Sequence, residues 1–145
     1  MIYLLRHGDA EPDQGGGDAA RNLTAKGRGQ ADAAGRAIAS LGYELDACLT
    51  SPKVRALDTA KLACAHLGIE PEVRQEIADG YYDTLDLVAG MGDVLVVGHE
   101  PDMSGEIARL TGARVKLKKG GLAVLEPRLL RVLMRPVELA AVVGE

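Results

Sequence analysis

Apolar residues fall along this chain in two rhythms. Residues 1–5 form an unbroken apolar run that stops at Arg6-His7-Gly8. Val94-Leu95-Val96-Val97 is a second run, and it stops at Gly98-His99-Glu100-Pro101. Short continuous runs of this kind mark strands buried on both faces, as in a parallel sheet. Residues 45–50 predict another strand, and Pro71 places residues 72–75 in a short strand at a sheet edge. Between the runs the spacing changes to three and four residues. Ala31, Ala34, Ile38 and Leu41 predict one face of a helix over residues 25–41, with Thr24 as its N-cap and Gly42 as its stop. Val54, Leu57, Ala60, Cys64 and Leu67 predict the buried stripe of a second helix. Serine is a favoured cap and proline a favoured first helical residue, so this helix is expected to start at Ser51-Pro52 and to end at Gly68.

The rest of the chain is less regular. Residues 76–82 read as a loop and 84–89 as a short helix. A helix over residues 102–110 is started by Pro101 and ended by Gly112. In the last third, residues 114–119, 122–125 and 129–134 predict short strands, separated by Gly120-Gly121 and by Pro127. The tail after Pro136 is apolar at several positions and suits packing back on the domain. Strands alternating with helices predict an α/β domain with a largely parallel sheet. A length of 145 residues predicts a single domain, 1–145.

Composition narrows the function. The formal net charge is −4, with four Tyr and neither Phe nor Trp. The chain therefore has neither a basic field nor a stacking platform for nucleic acid. No run of about 18 apolar residues is present, so no membrane span is expected. The apolar start is not preceded by a basic region, which argues against a signal peptide and for a cytoplasmic protein. Cys48 and Cys64 fall in apolar patterns and read as buried free thiols, and no zinc-type ligand spacing is present. The Gly15-Gly16-Gly17 run fits no nucleotide-binding loop and reads as a flexible rim, with Asp9 and Glu11 near its start. His66, late in the second helix, reads as structural or exposed. Lys116, Lys118 and Lys119 form a basic patch, either a solvated face or a hold on an anionic partner.

Candidate chemistry sits at the carboxyl ends of the strands, where open α/β sheets bind ligands. Arg6 and His7 end the first strand, Ser51 and Arg55 follow the second, and His99 ends the run at 94–97. Two guanidiniums and two imidazoles converging there make a site for a dianion, since the arginine fork matches phosphate oxygens in pairs. A neutral imidazole, with a reference pKa of about 6.5, is a competent nucleophile near neutrality. No metal or other cofactor is needed, because the cations already neutralise phosphoryl oxygens.

Leu5-Arg6-His7-Gly8, Ser51-Pro52-x-x-Arg55-Ala56-x-x-Thr59-Ala60 and Gly98-His99 together resemble the histidine phosphatase superfamily. The resemblance spans Met1 to about Pro101. Arg21-x-Leu23-Thr24-x-x-Gly27 and Gly98-His99-Glu100-Pro101 further resemble its small SixA-like phosphohistidine phosphatase branch. It implies a three-layer αβα, phosphoglycerate mutase-like fold and a phosphatase that needs no cofactor. In it His7 attacks phosphorus and becomes a phosphohistidine. Arg6, Arg55 and His99 clamp the phosphoryl oxygens, and Arg21 adds a phosphate or substrate contact. Gly8 and Ser51 line the binding site, with a backbone carbonyl near Gly8 as candidate partner for the second ring nitrogen of His7.

The leaving group separates the substrates. An alkoxide needs a general acid, whereas imidazole, with a pKa of about 6.5, leaves with little help. Asp79 and Glu76 are the candidates for an acid, and the SixA-like branch lacks one. The expected substrate is thus a phosphohistidine on a protein such as a histidine phosphotransfer domain, a role in signal transduction. The alternatives are a small-molecule phosphomonoesterase using Asp79 or Glu76, and a phosphate- or phosphoprotein-binding module without turnover.

Overall fold

The computed structural model describes all residues from Met1 to Glu145. Strands β1 (Ile2–Arg6), β2 (Ala47–Thr50), β3 (Pro71–Val73), β4 (Val94–Gly98), β5 (Leu122–Leu125) and β6 (Leu130–Met134) form one sheet. Its spatial order is β3-β2-β4-β1-β5-β6. The first four strands in that order are parallel, and β5 runs antiparallel to both β1 and β6. Helices α1 (Ala25–Ser40), α2 (Val54–Cys64), α3 (Gln75–Asp79), α4 (Thr84–Val88), α5 (Asp102–Thr111) and α6 (Pro136–Val142) cover it.

Alternation along β1 builds two cores from one strand, because successive side chains point to opposite faces. Tyr3 and Leu5 pack with Ala34, Ile38, Ala60, Ala63 and Leu139, the face covered by α1, α2 and α6. Ile2 and Leu4 pack with Ile77, Leu87, Met103 and Ile107, the face covered by α3, α4 and α5. The result is the mixed α/β sandwich expected. Cys48 and Cys64 are both buried and free, and His66 lies exposed beside Asp32, Nε2 to Oδ1 2.6 Å.

Several boundaries differ from expectation. Helix α2 starts at Val54, three residues after Ser51. The Ser51 hydroxyl accepts the Lys53 N–H at 3.1 Å, but it also meets His99, and the chain turns once more before the helix begins. The helix ends at Cys64, and a turn carries the chain to Gly68. Its buried face is Arg55, Ala56, Thr59, Ala60, Ala63 and Cys64, with Val54, Leu57 and Leu67 only partly buried. Close crossing of α1 explains the rotation. A Cβ on Gly35 would collide with the Ala63 backbone, so alanines must face that crossing. Leu41, expected on the buried face of α1, is 44% exposed beyond the helix end.

Strand β3 ends at Val73, and Gln75, expected at a strand end, joins residues 76–79, expected as loop, in α3. Its single buried side chain, Ile77, seats against Gly98 and the helix ends at Gly80 with φ +79°. Residues 114–119 form no strand. Their alternation is real, with Leu117 buried between exposed Lys116 and Lys118, but the segment is held by side chains. Leu117 N–H donates to Ser104 Oγ at 3.1 Å, and its carbonyl accepts from Arg6. The apolar tail becomes α6, which buries Leu139 against α1. No helix is long and apolar enough to cross a membrane.

Candidate active site

Sheet register brings the chemistry together. Arg6 of β1 lies opposite Gly98 of β4, so the two strands end level. The next residues are His7 and His99. The His7 N–H donates to the Gly98 carbonyl and the Ser51 N–H to that of Val97, each at 3.1 Å. Neighbouring strands are about 4.8 Å apart. Imidazoles one residue past two such strands must be close, and their centroids are 5.3 Å apart. Arg55, in the first turn of α2, completes the cluster. His7, Arg55 and His99 are each only 6% exposed.

The loop at His7-Gly8 is pinned from three sides. Gly8 N–H donates to Thr59 Oγ1 at 3.1 Å, and Thr59 Oγ1 in turn donates to the Arg55 carbonyl at 2.7 Å. Gly120 N–H reaches the carbonyls of Arg6 and His7 at 3.1 and 3.0 Å. A Cβ on Gly8 would lie 2.5 Å from the Gly27 carbonyl oxygen, so only glycine lets α1 come this near. Thr24 caps α1 through the Gly27 N–H at 3.0 Å while its hydroxyl donates to Asp9 Oδ2 at 2.9 Å.

The imidazoles are differently tied. His7 Nδ1 lies 2.7 Å from the Gly8 carbonyl oxygen. A carbonyl accepts only, so Nδ1 carries the proton and Nε2 of neutral His7 keeps its lone pair. His99 Nε2 meets Ser51 Oγ at 2.8 Å. Burial drives the His7 pKa down to about 4. The Gly8 carbonyl opposes this, and Arg55, Arg6 and Lys119 add to it. Burial also drives His99 to about 3, helped by His7, Arg55 and Lys53. Both rings are neutral at pH 7. Arg6 Nε, Arg55 Nε and His99 Nδ1 are buried without a hydrogen-bond partner in the protein. Unpaired buried polar atoms are rare in proteins, and a catalytic role is one of the explanations for them.

Two side chains not singled out from the sequence, Asp18 and Lys53, shape this site. Asp18, in a 3₁₀ turn at Asp18–Ala20, brings its carboxylate to Arg21 Nη1, Lys53 Nζ and Arg55 Nη2, each at 3.2 Å. Its carbonyl also accepts from Arg55 Nη1 at 2.9 Å. Desolvation pushes this carboxyl up, but the three cations hold it well below the ordinary carboxylate range. Arg21 is further fixed by Nε donating to the Glu11 carbonyl at 2.7 Å. Arg21 thus joins the cluster through Asp18. Its three-residue spacing from Arg21 was the only sequence signal for Asp18.

Asp79 and Glu76 make no hydrogen bond or ion pair with these residues. Both are exposed on α3, and Asp79 Oδ1 accepts from Gln75 Nε2 at 3.0 Å. The carboxylate that acts on Arg6 is Glu100, whose oxygens are taken by the Ser104 N–H, at 2.8 Å, and the Ser104 hydroxyl. No group of three or more His, Cys, Asp or Glu side chains is arranged to hold a metal ion.

The sequence model of the histidine phosphatase superfamily (branch 1) matches residues 2–91. The chain belongs to that superfamily. An uncharacterised protein of Picosynechococcus sp. (strain PCC 7002) is 33% identical, over 90% of this chain and 87% of its own. Among solved structures, a protein provisionally described as the phosphohistidine phosphatase SixA of Agrobacterium tumefaciens superposes with a TM-score of 0.81 and 25% identity. It covers 93% of this chain and 97% of its own. The protein histidine phosphatase SixA in complex with tungstate gives a TM-score of 0.80 at 23% identity, covering 95% and 98%. Membership and SixA-like architecture support phosphatase activity, and the fold is of the phosphoglycerate mutase-like type.

Proposed function

We propose that the protein is a phosphohistidine phosphatase acting on a phosphorylated protein through a phosphoenzyme on His7. The observation that carries this reading is the 2.7 Å bond from His7 Nδ1 to the Gly8 carbonyl, which leaves Nε2 as the nucleophile. The Nε2 lone pair forms a bond to phosphorus as the substrate P–N bond breaks. The electron pair leaves with the substrate imidazole, which departs neutral when its other nitrogen is protonated. Arg6 and Arg55 present buried donors to the phosphoryl oxygens, where charge builds. We assign Ser51 Oγ as the donor in its 2.8 Å contact with His99 Nε2, which puts the proton of neutral His99 on Nδ1 and makes it a third donor. Water then attacks the phosphoenzyme, loses a proton, and releases phosphate and neutral His7.

An alkoxide leaving group would need an acid, which contributes roughly 10²–10⁴-fold. Asp79 and Glu76 face solvent, which supports a leaving group that needs none. The test compares turnover of a phosphohistidine-bearing phosphotransfer protein with p-nitrophenyl phosphate and sugar phosphates, in wild type, His7→Ala and Asp79→Asn. The reading predicts preference for the phosphoprotein, loss of all turnover in His7→Ala, and unchanged rates in Asp79→Asn. A large loss on alkyl esters alone in Asp79→Asn would instead establish a phosphomonoesterase with an acid. Stoichiometric phosphate binding without turnover would establish a binding module.

A further inference from the structure

Next to the catalytic cluster lies a hollow of about 470 Å³, of whose lining residues the reaction above uses only Arg6. Six of the chain's 17 Lys and Arg residues line it: Arg6, Lys26, Lys116, Lys118, Lys119 and Arg135. They come from the end of β1, the first turn of α1, the segment before β5, and the residue before α6. Asp9 is the one carboxylate in the wall, and it is already engaged by the Thr24 hydroxyl at 2.9 Å and by Lys119 at 3.5 Å. Arg135 pairs with Glu138 at 3.2 Å, while Arg6, Lys26, Lys116 and Lys118 make no ion pair. A chain of net charge −4 thus gathers a strongly positive wall in one place. Concentrated charge of one sign in a concave site attracts the opposite sign and sets on-rate and specificity.

The hollow adjoins the catalytic cluster at one residue. Arg6 belongs to both, with Nη1 fixed on the Leu117 carbonyl at 3.0 Å and Nε free. Lys119 stands close enough to His7 to act on its charge. The free cations outside the catalytic cluster are exposed lysines on long stems, carried by separate segments. Compact ammonium groups on flexible stems suit several carboxylates on a folded surface better than one rigid phosphate fork.

We propose that this hollow is the docking site for Asp and Glu side chains flanking the phosphorylated histidine, so that the enzyme selects acidic phosphoproteins. The proposal rests on the phosphohistidine reading above. Its test uses two phosphohistidine peptides of one length, with Asp/Glu or Asn/Gln flanks, and p-nitrophenyl phosphate. The enzymes are wild type and the exposed double variant Lys116→Glu/Lys118→Glu. In wild type the acidic peptide is expected to have the lower KM, rising with salt. The double variant raises that KM about 10-fold, leaves its kcat within about 2-fold, and leaves p-nitrophenyl phosphate unchanged. Equal KM values for the two peptides in wild type would overturn the proposal.

If neither peptide is turned over while p-nitrophenyl phosphate is, the phosphohistidine reading fails on its own. Docking is then read from fluorescence anisotropy of a phosphate-free acidic peptide. Binding that is lost in the double variant supports the hollow, and no binding overturns it. Tight competition by methylene bisphosphonate, with none by the acidic peptide, would also overturn it in favour of a small polyanion.

Discussion

At the scale of the residue, one carboxylate and two rings set the site's charge. Asp18 shares Arg21, Lys53 and Arg55, and under the proposed reaction an incoming phosphoryl group shares Arg55 with it. Asp18→Asn removes a negative charge beside the anion site while keeping a side chain that still fits. We expect the inhibition constant for inorganic phosphate to fall about 3- to 10-fold, the size of one partly screened charge pair. A rise, measured by competition against p-nitrophenyl phosphate, would mean that Asp18 chiefly holds Arg55 in place. His7 and His99 titrate at about 4 and about 3, well below a free imidazole. In ¹⁵N NMR their rings are expected to stay neutral from pH 7 down to about 5, and protonation near pH 6.5 would contradict the burial that causes the shift. Of the residues named from the sequence, Arg6, His7, Arg55 and His99 were legible because each follows an apolar run or a helix start at one sheet edge. Asp18 and Lys53 were not, since 34 intervening residues separate partners that meet only when the glycine-rich loop folds back.

At the scale of the element, legibility followed how much of each element is buried. Strands β1 and β4 are buried along their length and showed as unbroken apolar runs. Helix α3 buries only Ile77 in five residues, too little for a helical period to appear. The start of α2 was misplaced because Ser51 serves His99 as well as the chain turn, which local capping preference does not foresee. Residues 114–119 mimic a strand because Leu117 alone plugs the core. The junction of α1 with the His7-Gly8 loop depends on glycine at two facing positions. Gly8→Ala places a methyl 2.5 Å from the Gly27 backbone oxygen, and a backbone atom cannot rotate aside. We expect a stability loss of about 1–3 kcal/mol, measured by urea unfolding, with activity falling further than stability because Gly8 carries the carbonyl that orients His7. Full activity in a stable Gly8→Ala protein would show that α1 can retreat without disturbing the ring.

At the scale of the whole molecule, the buried imidazoles make the fold sensitive to acid. In the unfolded chain histidine takes up a proton near pH 6.5. In the folded chain His7 and His99 resist it down to about 4 and 3. Between those limits the unfolded state binds more protons, so stability is complete above pH 6.5 and declines as pH falls. Glu106 adds a loss at lower pH. Burial raises its carboxyl, but bonds from Arg109 and Thr84 outweigh that and hold it below its ordinary value. The melting temperature is expected to fall by several degrees from pH 7 to pH 5, and the slope to flatten in His99→Asn. A flat profile in wild type would contradict neutral buried rings.

The account as a whole depends on His7 Nε2 taking the phosphoryl group. Its most direct test is a rapid quench into base, during turnover of a ³²P-labelled substrate, followed by phospho-amino-acid analysis of the protein. The expected result is one acid-labile label on His7, as the Nε2 isomer of phosphohistidine, absent from His7→Ala. A label on Nδ1, or turnover that continues in His7→Ala, would contradict it.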